Sequence, residues 1–232
     1  MQVIGSFEKA KHYIESSEKE FDSHRLKKGG PCITISRETG TGADRVGEAL
    51  INYFARFEVP FTLFDKNLIN KVLEDHDLPQ KLSSYIPEGK FPAIKTAMNE
   101  LFGFHPPLIS LSHKTAQTIL QLAEIGNVII VGRGANIITM RLKNAFHIRL
   151  IAPVELRIQN MGIYYGMSPK EAEAFVKKED EARNKYVKAN FNRDTNDLTQ
   201  FHLVLNTELF TNEEMAEIIG GSVVMKYPER FR

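Results

Sequence analysis

The chain of 232 residues is long enough for one large domain, or for a core domain that carries an inserted subdomain. Its 30 basic and 29 acidic residues leave a formal net charge of +1, without the basic excess of duplex-binding proteins, so nothing indicates nucleic acid as a partner. No apolar run approaches the roughly 20 residues that span a bilayer, and no secretory apolar segment is present. The single cysteine excludes an internal disulfide, which agrees with a reducing compartment. We therefore expect a cytoplasmic protein without membrane contacts.

The first 28 residues are polar and charged and contain no glycine after Gly5, which predicts a helical N-terminal extension. We expect this extension to pack on the body of the protein or on a second subunit of a homodimer. The main domain, residues 29–232, opens with "GGP" and then "CITIS", which predicts a first strand at about 32–36 that is buried on both faces. Cys32 lies in this strand, so we expect a packing role for its thiol.

A βαβ unit follows. After Gly42 the apolar residues recur at helical spacing, at Val46, Ala49, Leu50, Tyr53, Phe54 and Phe57. "VPFTLFD" at 59–65 predicts a second strand that ends on Asp65, and a strand, a helix and a strand of these lengths belong to a parallel sheet. Residues 66–112 hold several prolines between short helical patterns, which predicts an inserted helical subdomain.

The second half of the chain predicts three more strands. A helix at about 112–125 ends at Gly126, and "NVIIVGRGA" gives a buried third strand with glycines on both sides of Arg133. "AFHIRLIAP" at 145–153 gives the fourth strand, and Arg157 lies early in the helix after it. "QFHLVLNT" at 200–207 gives the fifth strand. We expect His147 and His202 to be strand residues with local partners, because no histidine or cysteine spacing indicates a metal site.

Two helices carry explicit start signals. Ser168, Pro169 and Glu171 form a capping box at the start of a long helix whose charge covers most faces, as in a mobile or solvated arm. Thr211 can cap a terminal helix that we expect to end at Gly220 or Gly221, followed by a short edge strand in "SVVMKYPER".

The turn "ETGTGAD" after the first strand is the first candidate site. Gly40 and Gly42 permit backbone conformations that turn several N–H groups around an anion, and the helix that starts at about residue 43 adds its dipole. Ala43 and Asp44 stand where a phosphate loop carries lysine and then serine or threonine. The residues alone leave two alternatives, a phosphate site or a plain glycine-bearing β–α turn.

Charged side chains near other strand ends are further candidates. Arg133 could bind a phosphate bidentately, or it could be an exposed loop arginine. Arg157 by itself is typical of a solvated helix residue. Asp180 and Arg183 lie three residues apart and share a helix face, which is also the pattern of a surface ion pair.

The order of these features resembles the nucleoside monophosphate kinases, and in particular the cytidylate kinase-like family, a divergent branch of bacterial cytidylate kinases. The matching stretches are "ISRETGTGADRVGEAL", "FDKNLI", "AEIGNVIIVGRGANII", "FHIRLIAPVELRI", "EDEARNKYVKANF" and "FHLVLNT". The resemblance implies a three-layer α/β fold of the P-loop kinase type, with a five-stranded parallel sheet, helices on both faces, a helical nucleotide-binding insert at about 66–112 and a short lid at about 164–192. It also implies Mg²⁺-dependent transfer of the γ-phosphoryl group of ATP to a monophosphate such as CMP or dCMP.

Residue roles follow from the same resemblance. The phosphates of ATP would be bound by the turn from Thr39 to Asp44, that is by Thr39, Gly40, Thr41, Gly42, Ala43 and Asp44. We also count Arg37 and Arg45, which flank this turn, among the candidate phosphate-binding residues. Arg157 would lie near the ATP base, while Asp65 and Arg133 would face the acceptor nucleotide. Arg133, Asp180 and Arg183 would be the catalytic residues, with Arg183 clamping the phosphates from the lid.

The chain departs from typical cytidylate kinases at several positions. Ala43 replaces the loop lysine, Gly134 replaces an aspartate after the third strand, and Asn160 and Met161 stand in place of a paired arginine. A loop without lysine is common in the divergent branch, so its absence favours that branch.

The leading hypothesis is therefore an ATP-dependent nucleoside monophosphate kinase. The charge of the missing lysine would come from one or more of four arginines: Arg37, Arg45, Arg133 and Arg183. A catalytically impaired nucleotide-binding regulatory module and a kinase for another small-molecule acceptor are the alternatives.

Overall fold

The computed structural model describes Tyr13 and residues 29–65, 91–103 and 111–231. Within these residues the strands and helices are β1 (Cys32–Arg37), α1 (Ala43–Ala55), β2 (Thr62–Phe64), α2 (Phe91–Phe102), α3 (Leu111–Ile125), β3 (Val128–Val131), α4 (Ala135–Ile138), β4 (Ala145–Ile151), α5 (Val154–Tyr165), α6 (Pro169–Phe191), β5 (Leu203–Asn206) and α7 (Asn212–Lys226). Short 3-10 helices cover Leu198–Gln200 and Pro228–Arg230.

The strands form one parallel sheet in the order β2-β3-β1-β4-β5, which confirms the predicted five-stranded parallel sheet. β1 lies at the centre, where Ile35 is paired with Val131 of β3 on one side and with Ile148 of β4 on the other. The chain builds β2 and β3 on one side of β1 and β4 and β5 on the other. The strand order therefore reverses at β1, and ligands of such sheets bind beyond the carboxyl ends of the strands at that point.

Helices cover both faces of the sheet, so the predicted three-layer architecture is confirmed. Alternate strand residues point to opposite faces: Cys32 and Ile130 pack with α2, α3 and α4, whereas Ile33 and Ile129 pack with α1 and α7. Burial raises the pKa of the Cys32 thiol far above its usual value. The thiol therefore stays neutral in the interior, as expected for a packing residue.

Helices α5 and α6 form a hairpin, called the lid hairpin below. The predicted cap of α6 is confirmed, because the Ser168 hydroxyl accepts a hydrogen bond from the Glu171 N–H and the Glu171 carboxylate accepts one from the Ser168 N–H. Most residues of α6 are exposed, as its charge pattern predicts, but one stripe of the helix is buried. Its Ala172 and Val176 are buried and pack on Met161 of α5.

The C-terminal helix differs from the prediction. α7 starts at the predicted cap, Thr211, but it continues through Gly220 and Gly221 to Lys226, so the predicted helix end and the edge strand at 222–230 are both wrong. The reason is tertiary packing: a Cβ on Gly220 would overlap the ring of Tyr53 on α1. Gly220 permits close contact between two helices and does not end one.

Parts of the predicted extension and insert lie outside the described residues, namely 1–12, 14–28, 66–90 and 104–110. Tyr13 is the described residue of the extension. It is buried, its hydroxyl donates a hydrogen bond to the carbonyl of Gly126 at 2.8 Å, and its ring meets that of Phe64 edge-on. None of the helices in the described ranges is both long and apolar enough to cross a membrane.

Candidate active site

The glycine loop, residues 38–42, joins the central strand β1 to α1. Gly40 and Gly42 both have positive φ, at 90° and 75°, and Gly42 caps α1 in the left-handed conformation. A Cβ on Gly40 would lie 2.6–2.9 Å from atoms of Arg157 on α5, and the Asn160 amide donates a hydrogen bond to the Gly40 carbonyl at 2.7 Å. The loop is therefore shaped by its packing on α5 as well as by its own glycines.

An ion-pair network ties α6 to this loop. The Asp180 carboxylate accepts hydrogen bonds from the Thr39 backbone N–H at 2.8 Å, from the Thr39 hydroxyl at 2.7 Å, and from the guanidinium groups of Arg157 and Arg183 at 2.6 Å each. Burial alone would raise the pKa of Asp180, but the bonds from Thr39 and Arg157 and the charge of Arg183 outweigh it and lower the pKa. The Asp180–Arg183 pair is thus part of a network around the loop.

Arg157 lies beneath the loop. Its guanidinium donates hydrogen bonds to the carbonyls of Ala152 and Thr39, at 3.1 and 3.3 Å, in addition to the bond to Asp180. Its side chain is only 12% exposed, unlike that of a solvated helix residue. The expected role of Arg157 near the ATP base stays a prediction.

Three arginines border the same cavity at the carboxyl ends of β1 and β3: Arg37, Arg133 and Arg183. Arg37 packs on Gly132 so closely that a Cβ there would overlap its guanidinium. The pKa of Arg37 is lowered to about 10, first by burial and then by repulsion from Arg183 and Arg133, while Asp44 and Asp65 oppose the shift. Arg37 therefore keeps its positive charge at neutral pH, beside two further cations.

Two cavities meet at this point. The strand-end cavity, of about 220 Å³, lies between the ends of β1 and β3 and the middle of α6; its lining includes Ser36, Arg133, Asn136, Tyr186 and Gln200. The loop cavity, of about 320 Å³, lies between the glycine loop and the lid hairpin. Both cavities are bordered by Arg37, Glu179 and Arg183. A group bound in either cavity would therefore face the same two cations, Arg37 and Arg183.

The predicted site residues fall into this arrangement as follows. The loop residues line the loop cavity: Thr39, Gly40, Thr41, Gly42, Ala43, Asp44 and Arg45. Arg133 lines the strand-end cavity, and Asp65 follows β2 within electrostatic reach of Arg37 and Asp44. Burial raises the pKa of Asp44, although the charge of Arg37 opposes the shift. The predicted residues are thus brought together around Arg37.

Sequence reasoning missed Arg149. This residue lies in β4, is 5% exposed, and donates a hydrogen bond from Nη1 to the Ser36 hydroxyl at 2.9 Å, while Ser36 borders the strand-end cavity. Burial lowers the pKa of Arg149, with the charge of Glu38 acting in the opposite direction. The available signal was an arginine inside the apolar run "FHIRLI", since a charged residue is rarely buried without a partner.

The two histidines predicted to have local partners do contact each other. The His147 N–H donates a hydrogen bond to Nδ1 of His202 at 2.9 Å, and the Thr34 hydroxyl lies 2.8 Å from Nδ1 of His147. Burial, reinforced by His202 and Lys226, lowers the pKa of His147 to about 4. His147 is a buried residue of β4, whereas His202 lies just before β5 and is exposed. Neither histidine lines the two cavities described above.

A parallel sheet in the order 2-3-1-4-5, a glycine loop after its central strand and a helical hairpin over that loop define a P-loop kinase-like protein. The sequence model of the cytidylate kinase-like family matches residues 32–209, and the chain belongs to that family. This membership supports nucleotide-dependent phosphoryl transfer in general terms. No protein of curated function shows significant sequence similarity to the chain.

The chain is similar to the following solved structures, the first of which shares its fold. An uncharacterized protein from Eubacterium ventriosum is 20% identical, with a TM-score of 0.65 over 84% of this chain and 98% of that chain. A gluconokinase from Sinorhizobium meliloti is 12% identical, with a TM-score of 0.43 over 88% and 98% of the two chains. A shikimate kinase from Acinetobacter baumannii in complex with shikimate is 14% identical, with a TM-score of 0.44 over 90% and 97%.

Proposed function

We propose that the protein transfers the γ-phosphoryl group of ATP to a nucleoside monophosphate, with CMP or dCMP as the first candidates. The observation that carries this proposal is the shared border of the two cavities, where Arg37 and Arg183 face both. Phosphoryl transfer needs two phosphates placed in line and their charge neutralised, and it needs little covalent chemistry from the protein. Two cavities that meet at a pair of cations support such an arrangement of a donor and an acceptor phosphate.

The donor would bind in the loop cavity. Its phosphates would lie against the backbone N–H groups of residues 40–44, where the start of α1 adds its dipole. These contacts use backbone groups and so do not require the missing lysine. Mg²⁺ would neutralise charge on the donor phosphates, and Asp44 in the first turn of α1 offers the carboxylate oxygens that Mg²⁺ prefers.

The acceptor would bind in the strand-end cavity. Arg133 and Arg183 would hold its phosphate, and Ser36, Asn136 and Gln200 offer hydrogen-bonding groups for the rest of the molecule. The attacking group of a nucleoside monophosphate is a phosphate oxyanion, which needs no general base. Cationic side chains suffice there, and Arg37 between the cavities would take over the charge that a loop lysine provides.

An assay of ADP formation from ATP and Mg²⁺ with CMP, dCMP, UMP and AMP tests the proposal, with nucleotide binding measured in parallel by calorimetry. Turnover highest with CMP or dCMP is the expected result. Binding without turnover on any acceptor would reject the kinase proposal. It would favour the alternative of a catalytically impaired nucleotide-binding regulatory module, which the replacement of the loop lysine by Ala43 motivates.

The Arg183→Ala variant separates the same two alternatives. In a kinase, Arg183 contacts both cavities, so its loss should weaken nucleotide binding and reduce turnover by roughly 100-fold or more. In a regulatory module without a transition state to clamp, nucleotide affinity should stay almost unchanged. A kinase for another small acceptor remains the third alternative, and turnover that appears only with non-nucleotide acceptors in a wider panel would identify it.

A further inference from the structure

The part of the loop cavity that is lined by the lid hairpin is mostly apolar. Its apolar surface is made by five side chains, called the ring wall below: Met161, Tyr164, Tyr165, Met167 and Phe175. They come from the end of α5, the turn of the lid hairpin and the first half of α6. Tyr165 is 64% exposed although it is a large ring, so packing of the protein interior does not account for its place.

A cation joins this wall to the loop. The guanidinium of Arg45, in the first turn of α1, lies over the Tyr164 ring, with Cζ 3.0 Å from the ring centroid. Such a contact holds the ring in a fixed orientation at the edge of the loop cavity. One cavity therefore presents anion-binding backbone on one side and fixed aromatic and thioether surface on the other.

We propose that the ring wall is the subsite for the aromatic base of the phosphoryl-donor nucleotide, an inference that rests on the proposed function of the loop cavity. A ligand that uses both sides must carry phosphates and a flat apolar group, and a nucleoside triphosphate carries both. A sugar phosphate or inorganic phosphate would use the loop alone. Bases stack on aromatic side chains because every base has a π-face, and methionine adapts to such surfaces.

The contacts of Arg157 also favour the ring wall as the surface that binds the base. The resemblance to nucleoside monophosphate kinases puts this arginine near the donor base. Its guanidinium is instead engaged by Asp180, Thr39 and Ala152 and is almost buried, so little of it can contact a base. The exposed rings of Tyr165 and Phe175 offer the base a surface inside the same cavity.

Calorimetric binding of two probes to the full chain tests the subsite: ATP, and inorganic tripolyphosphate, which lacks the base. Tyr165→Ala and Phe175→Ala should each weaken ATP binding by roughly 5-fold to 100-fold, since base–ring stacking has an energy of this order. Binding of tripolyphosphate should change less than about twofold, because the loop is untouched. Tyr165→Phe should keep ATP affinity near that of the wild type.

Ile163→Ala is the matched control. Ile163 lies on α5, as Tyr165 does, and is 63% exposed, but it is not part of the ring wall. Its substitution should therefore leave the affinity for both probes unchanged. Equal binding of ATP and tripolyphosphate to the wild type, or unchanged ATP affinity in both alanine variants, overturns the base subsite and leaves the phosphate loop in place. Failure of both probes to bind the wild type overturns the proposed function and the subsite with it.

Discussion

The carboxylate of Asp180 on α6 accepts a hydrogen bond from the backbone N–H of Thr39 in the glycine loop, at 2.8 Å. A side chain of the lid hairpin thus already binds one of the backbone N–H groups of the glycine loop. The same carboxylate binds Arg157 and Arg183, so one acidic group orders both the loop and the cations around it.

Loss of the Asp180 charge should destabilise the fold. In Asp180→Asn, two partly buried arginines lose their common anion, and we expect the free energy of unfolding to fall by about 1–3 kcal/mol. Urea unfolding at pH 7.5 measures this change. Glu181→Gln, at the next position of the same helix and exposed, is the control and should have almost no effect. Equal stability of the two variants would show that the network contributes nothing measurable.

Arg37→Gln should reduce kcat by roughly 100-fold to 1000-fold, because a preorganised positive charge next to a transferring phosphoryl group stabilises the transition state to that extent. Arg37→Lys should recover part of the activity, since it keeps the charge and loses the planar fork. Arg141→Gln, which removes a 67% exposed arginine, serves as the control. Thermal unfolding shows which variants are folded, and a folded Arg37→Gln protein with unchanged kcat would contradict the prediction.

Gly40→Ala should harm the loop more than an equivalent change at Gly103. Both glycines have positive φ, at 90° and 80°, so both substitutions carry backbone strain of about 1–2 kcal/mol. Only at Gly40 does the new Cβ also meet the backbone of Arg157, whereas no atom of the described residues lies within 4 Å of the corresponding position at Gly103. We expect a larger loss of unfolding free energy in Gly40→Ala, together with weaker tripolyphosphate binding. Equal losses of unfolding free energy in the two variants would mean that α5 moves to accommodate the added methyl group, which would contradict the prediction.

Acid should weaken the fold through His147. Its pKa is about 4 in the folded protein, against a usual value of 6.5, so between these values the unfolded chain binds a proton that the folded chain does not. Stability therefore rises with pH across this window, by roughly 3 kcal/mol from this group. In His147→Gln the free energy of unfolding should depend less steeply on pH between 4 and 6.5. Urea unfolding across that range measures the slope, and an unchanged slope would assign the pH dependence to other groups.

Local signals explain which elements the sequence could predict. The capping boxes that begin at Ser168 and Thr211 are set by side chains three residues apart, and both are present in the structure. Continuous apolar runs predicted the buried central strands, and these are also local signals. The end of α7 could not be found like this, because Gly220 is explained by Tyr53 on a distant helix. A glycine that permits helix contact and one that ends a helix look the same in a single sequence.

The candidate site also combines residues that local sequence identifies with residues that only tertiary packing brings into the site. Arg37, Arg133 and the loop glycines were identifiable because they follow the ends of strands, where ligands of parallel sheets bind. The ring wall was not, because Tyr164 and Tyr165 become cavity residues only when the lid hairpin packs beside the loop. Arg149 was missed because its link to the strand-end cavity is a hydrogen bond to Ser36 on the neighbouring strand.

The shared border of the two cavities has a thermodynamic consequence. Because Arg37 and Arg183 face both, a ligand in one cavity changes the electrostatic potential felt by a ligand in the other. If a ligand in one cavity changes the affinity of the other cavity's ligand by some factor, the second ligand must change the affinity of the first by the same factor. Donor and acceptor would therefore be linked at equilibrium before any phosphoryl group moves, and substitutions at these two arginines would alter that linkage together with each affinity.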